Sequence, residues 1–283
     1  MKAIFSLFFA GIVLAYGFLF SHLDGKAQEQ FSPLQFAPPP AFYRVAAGYL
    51  QQLAAEMLFI RVSVFLGGVP PGTDKTSYED ALANNFEVMT TLYPRFIDPY
   101  YFTQGFLPSI SPKSAARAAG IFETGIAAYP EDYILRFFYG TNFFLTMNEP
   151  LKGAKAFAEA AQLPEAPPLF GHLAALLSAQ GGDIQAGLIS LKTMLAAEKE
   201  EVVRKRYEEE IVIFEQAILT QQAINAYINK YGSPPKELEQ LIPEFVAQLP
   251  ETWDFFTLVY DPPNLHLKRP DRTKKDETGI PWK

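Results

Sequence analysis

A step of about 35 residues, repeated between residues 82 and 194, constrains this chain more than any short motif does. A small or apolar residue is followed four positions later by a bulky one, and three positions further on by another small or flexible one. The sets are Leu82/Phe86/Met89, Ala118/Phe122/Gly125, Gly153/Phe157/Ala160 and Gly187/Leu191/Met194, at steps of 36, 35 and 34 residues. Gly105 and Gly140 keep a step of 35, and Pro94, Pro130 and Pro164 lie 36 and 34 apart. Offsets of four and three place each set on one face of a helix. A fixed period of this length marks stacked helical hairpins, each of which buries its apolar face only against its neighbours. The expected fold class is mainly α: a right-handed solenoid of α-helical hairpins, with an N-terminal apolar helix and a small C-terminal module of a helix plus a β-hairpin.

The punctuation agrees with that period. Helices are expected over 42–66 and 77–93, 98–108 and 112–128, 131–147 and 150–162, and 168–179 and 183–197. Helix 42–66 carries Tyr43, Ala46, Leu50, Leu53, Met57, Leu58 and Val62 at helical spacing. Pro108 and Ser111-Pro112 separate one pair. Asn148-Glu149-Pro150 separates the next, with Asn148 or Glu149 as the cap and Pro150 in the first turn. Gly181-Gly182-Asp183 supplies a glycine C-cap followed by an aspartate N-cap. The loop 67–76 (GGVPPGTDKT) lacks a preceding strand and has Asp74 where a phosphate-binding loop needs Gly-Lys-Ser/Thr, so a surface insertion is expected there.

At these residues the chain resembles the tetratricopeptide repeat family, whose pattern is Trp-x2-Leu-Gly-x2-Tyr, then Ala-x3-Phe, then Pro. Tyr139-Gly140-x-x-Phe143, Gly153-x3-Phe157 and Pro164 match best, followed by Gly105, Ala118-x3-Phe122 and Pro130. Tyr101 and Arg136 stand where the family has tryptophan, and Pro108 where it has an aromatic. The resemblance implies close helix contact at the small residues and a concave face lined by the first helix of each hairpin. On that expectation Phe102, Phe106, Phe137, Thr141 and Phe144 line a groove for another protein or a peptide segment. A phenylalanine at helical spacing also serves as core, and that reading stays open for each of them.

The flanks suggest an address. Residues 1–20 place Lys2 before an apolar run from residue 3 to residue 20, longer than most secretory h-regions and close to a spanning length. It reads either as an uncleaved anchor or as a signal cut after Ala27; both leave Lys2 inside and export the rest. Residues 21–41 form a Pro-rich spacer, residues 42–198 the repeats, and residues 199–232 one long capping helix with i,i+4 charge pairs such as Arg204/Glu208 and Arg206/Glu210. Glu208-Glu209-Glu210 point in different directions around that helix and are expected on a solvated face. Residues 233–268 hold a short helix over 236–248 and extended runs at 255–260 and 265–268, with residues 269–283 a charged tail. The order Tyr231-Gly232-Ser233-Pro234-Pro235, Leu241-Ile242-Pro243, Leu249-Pro250 and Tyr260-Asp261-Pro262 resembles the periplasmic half of type II secretion major pseudopilins.

Composition narrows the chemistry. A net charge of −7 without a basic stripe argues against a nucleic-acid partner. With 0 cysteines there are no disulfides, thiol nucleophiles or thiolate metal sites. His22, His172 and His266 are scattered, without metal-ligand spacing, and no HExxH or GxSxG occurs. The expectation is therefore an exported, membrane-anchored scaffold, not an enzyme, without cofactor or metal, that binds another envelope protein. A subunit or accessory factor of a secretion or pilus-like assembly is the alternative, and an envelope enzyme the third reading. Oligomeric state stays open.

Overall fold

In the computed structural model of the chain the described residues are 11, 13, 14, 16–18, 33–250 and 256–269. Most of the expected anchor run, the first part of the spacer and nearly all of the charged tail lie outside them. The chain divides into two compact units, residues 1–124 and 125–283, a division that falls within the helix Pro112–Ala128.

In the first unit residues 33–39, without regular secondary structure, lead into α1 (Pro40–Ala46), a 3-10 turn (Gly48–Leu50), α2 (Gln51–Gly68), α3 (Glu79–Leu92), α4 (Asp98–Phe106) and the greater part of α5 (Pro112–Ala128). The expected helix 42–66 is thus broken. Gly48 takes a left-handed φ of +52°, which glycine adopts without the Cβ clash that would strain other residues. α2 packs on α3, and α3 on α4. Leu82, Phe86 and Met89, the first set of the period, are fully buried, as are Ala118 and Phe122 of the second.

Polar ties finish this unit. Arg117 donates from Nε and Nη2 to the two Glu87 oxygens (2.7 and 2.6 Å) and lies 3.3 Å from Asp80, to which Lys113 also donates. The end of the Pro-rich stretch is pinned rather than trailing: Asn84 accepts from the Ala37 amide at 2.8 Å, and Asn85 donates to the Gln35 carbonyl at 2.9 Å. The loop after α2 is exposed but locally ordered, because Asp74 accepts from the Thr76 amide and hydroxyl.

In the second unit α6 (Tyr133–Thr141) runs into a π turn (Asn142–Thr146) and is followed by α7 (Pro150–Ala160), α8 (Leu169–Gln180), α9 (Ile184–Ala197) and α10 (Glu201–Tyr231). From α6 to α10 each helix packs on the next. Their ends are chemically set. Asp132 caps α6 by accepting from Ile134 N and Leu135 N (2.8 and 3.2 Å), and Asp183 caps α9 through Ala186 N (3.0 Å). Gly182 and Gly232 take φ of +94° and +75° at the ends of α8 and α10. Close approach is built from glycine. A Cβ on Gly140 would meet the Phe157 ring at 3.1 Å, one on Gly153 the Gly140 carbonyl at 3.1 Å, and one on Gly187 the Phe214 ring at 2.6 Å and the Ala175 carbonyl at 2.7 Å.

The C-terminal strands β1 (Thr257–Asp261) and β2 (Asn264–Lys268) pair antiparallel, Thr257 opposite Lys268 and Tyr260 opposite Leu265, around Pro262-Pro263. Leu265 and Leu267 alternate inward and join Phe256, Leu241 and the apolar faces of α8, α9 and α10 in one core. Burying a ring such as Phe214 there contributes about 1.5–3 kcal/mol relative to leaving it in water. The helix expected over 236–248 is only a 3-10 turn, Leu238–Leu241. Pro243 removes an amide and disfavours helical geometry at Ile242.

Candidate interaction surface

Three arrangements stand out once side chains are placed. The first is an aromatic row in the first unit. Phe102 of α4 meets Phe59 of α2 edge-on at 4.7 Å and Phe106 at 5.6 Å; Phe59 also meets Phe96 at 5.2 Å, and Phe96 stacks on Tyr93 at 5.9 Å. Phe102 is half-buried in the row. Phe106, 43% exposed, ends it at the surface.

The second lies between α6, α7 and α8. Phe137 sits 5.9 Å from Phe157 and 5.8 Å from Phe170, and Phe144 packs on the same cluster, its Cβ 3.2 Å from the space a Gly153 side chain would need. Thr141, at the last turn of α6, is half-buried. Of the five residues assigned to a groove from sequence, Phe102 and Phe106 are together in the first unit, and Phe137 and Phe144 share one apolar cluster in the second. Phe106 is the one of the five that is exposed.

The third is a buried ionisable pair that the sequence reading misplaced. Glu210, expected on a solvated face, is buried; its Oε2 lies 2.8 Å from His172 Nε2, and its Oε1 accepts from Arg206 Nε at 3.1 Å. Desolvation works against the Glu210 charge, but the hydrogen bond and charge of His172, with Arg206, outweigh it and hold the carboxyl below its usual range. The buried Tyr207 ring stands 5.7 Å from the imidazole. Through both of its carboxylate oxygens Glu210 ties α8 to its own helix, α10. The signal was present in the i,i+4 spacing of Arg206 and Glu210; what hid it was the face, which depends on α8.

Sequence reading also missed the outer side of α2. Ala55, Leu58, Val62 and Phe65 enter the core, while Leu53 (49%), Met57 (64%), Ile60 (61%) and Val64 (71%) are left exposed. The residues at helical spacing in this segment therefore belong to two faces. A helix apolar on all sides gives no amphipathic signal to say which face is inside. Residues Gly48–Gly68 are, by length and composition alone, long and apolar enough to cross a membrane, but the buried side of α2 is packed on α3. Among the described residues no group of three His, Asp or Glu side chains is placed to hold a metal ion.

Compared with known families and curated proteins, the chain matches no family model and no curated sequence.

Proposed function

We propose that this chain is a non-catalytic helical-repeat scaffold of tetratricopeptide type, exported and anchored through residues 1–20, that binds another envelope protein or a peptide segment of one. The observation that carries the reading is the run from α6 to α10, in which each helix packs on its neighbours and glycines at or near the periodic positions admit a ring or backbone of the next helix. Such a stack spends its sequence on helix contact and leaves its outer surfaces for partners. Binding would rest on aromatic anchors such as Phe106, with Phe102 behind it, rather than on covalent chemistry.

The test is cross-linking of the full chain in the envelope of its source organism, compared with Phe106→Ser. That side chain is exposed enough for the variant to keep its fold, which circular dichroism verifies. One dominant cross-linked partner, lost in the variant, is the expected result. A well-folded wild type that captures the same proteins as Phe106→Ser rejects the aromatic groove. Truncation after Gly232 is a poor control, because Leu241, Phe256, Leu265 and Leu267 complete the core of α8–α10.

A further inference from the structure

The outer side of α2 carries one continuous apolar stripe. Leu53, Met57, Ile60 and Val64 follow steps of four, three and four, which puts them on one face; in the heptad of a two-stranded pair Leu53 and Ile60 would take d and Met57 and Val64 a. The helix is 18 residues long, so the seam runs along a rod of about 27 Å. Its opposite side is already occupied by the core of the first unit, so this side is a second, unpartnered apolar face of one rigid helix. Exposed apolar stripes of this extent mark interaction sites.

The charges identify the occupant. Glu56 and Arg61 are the only charged residues in Gln51–Gly68, and they fall at g and at the following e. In a parallel pair of identical helices, g of one faces the next e of the other, so each Glu56 meets an Arg61. An antiparallel pair sets g beside g and e beside e, and the opposite charges never meet. Arg61 is held toward the packed side, with Nη2 bonded to Asn85 Oδ1 (2.5 Å) and the Gln35 carbonyl and Nε buried, so a bridge across the seam falls to Nη1; Glu56 gives Oε1 to Gln52. Helices that lie in a lipid surface carry a lysine- and arginine-rich polar face, which α2 lacks.

We infer that α2 is a self-association helix: two copies of this chain pair in parallel and in register through Leu53, Met57, Ile60 and Val64, flanked by Glu56–Arg61 bridges.

The chain has 0 cysteines, so a single introduced thiol reports directly on this pairing. In an in-register parallel seam each d residue lies opposite itself. Full-length Leu53→Cys and Ile60→Cys should therefore each form an interchain disulfide roughly a hundredfold faster than Val212→Cys on α10, because pairing raises the local thiol concentration to the millimolar range. A double variant, Met57→Asp/Ile60→Asp, alters only exposed side chains. It should keep its helical circular dichroism while its mass by light scattering falls from twice 31.7 kDa to 31.7 kDa. Cross-linking of Ile60→Cys without Leu53→Cys indicates an antiparallel pair and overturns the proposal. So does a monomeric wild type, including one whose Met57→Asp/Ile60→Asp form merely stops floating with phosphatidylcholine vesicles, which would assign the face to lipid.

Discussion

The two units reach a helical packing by different means. In the second, contact is a matter of shape: Gly140, Gly153 and Gly187 leave out a Cβ so that a ring or a carbonyl can take its place. In the first, the glycine on the same step, Gly105, faces open space, and Gly120 does too. There Arg117, Glu87, Asp80 and Lys113 join α5 to α3, and Asn84 and Asn85 fasten the incoming chain. One sequence period can therefore stand for two kinds of joint. The glycine is required where a ring or a backbone carbonyl of a neighbouring helix comes within contact distance, and elsewhere the position is free to vary.

Substitutions at five positions can break this contrast. Phe157→Ala removes a buried ring that fills the space above Gly140, and should cost the second unit about 3–5 kcal/mol in denaturant titration. A loss under 1 kcal/mol, which ordinary surface sites would give, would mean the interlock is ornamental. Gly187→Ala sets a methyl against Phe214 and the Ala175 carbonyl and should cost about 3 kcal/mol, whereas Gly105→Ala adds only helix propensity and should gain about 0.5–1 kcal/mol. Equal effects at the two glycines would erase the distinction between the units.

Glu210→Gln should lower stability by about 2 kcal/mol at neutral pH, since it leaves a buried imidazole with a poorer partner. The sign with pH follows from the lowered carboxyl. The charged form is favoured in the folded state, so its contribution is full above the usual carboxyl range and fades as pH falls through and below it. The gap between wild type and variant should close in acid; a gap that widens there contradicts the assignment. Smallest is Arg117→Ala in the first unit, about 1 kcal/mol and diminished by added salt, as a part-exposed ion-pair network behaves. Thermal melts at low and high salt read it.

Much of the fold was legible. Helix 112–128 has the bounds its proline and alanines indicate, and the break at Gly181-Gly182-Asp183 is made by the residues expected to make it. What was not legible depended on neighbours. The face of α2 is undetermined when both sides are apolar, and the burial of Glu210 follows from His172, 38 residues away. The five aromatic and hydroxyl positions were found as a set on helices, but only tertiary contact separates Phe137, wedged between two rings, from Phe106, half open. The break at Gly48 and the shortening of 236–248 to a single turn had local causes, a glycine and Pro243, that helical periodicity outweighed.

The hairpin β1–β2 has a mechanical consequence. Helices that touch only their sequence neighbours peel away one at a time when the chain is pulled from its end, so such a stack is compliant. Here β2 returns to the stack: His266 Nδ1 meets the Gln180 carbonyl across 86 positions, and the Leu265 amide donates to Gln221 across 44. Those links load α8 and α10 together. Tension on the C-terminus would have to shear the hairpin free before α10 could unwind, so the second unit should yield in one large step followed by smaller ones.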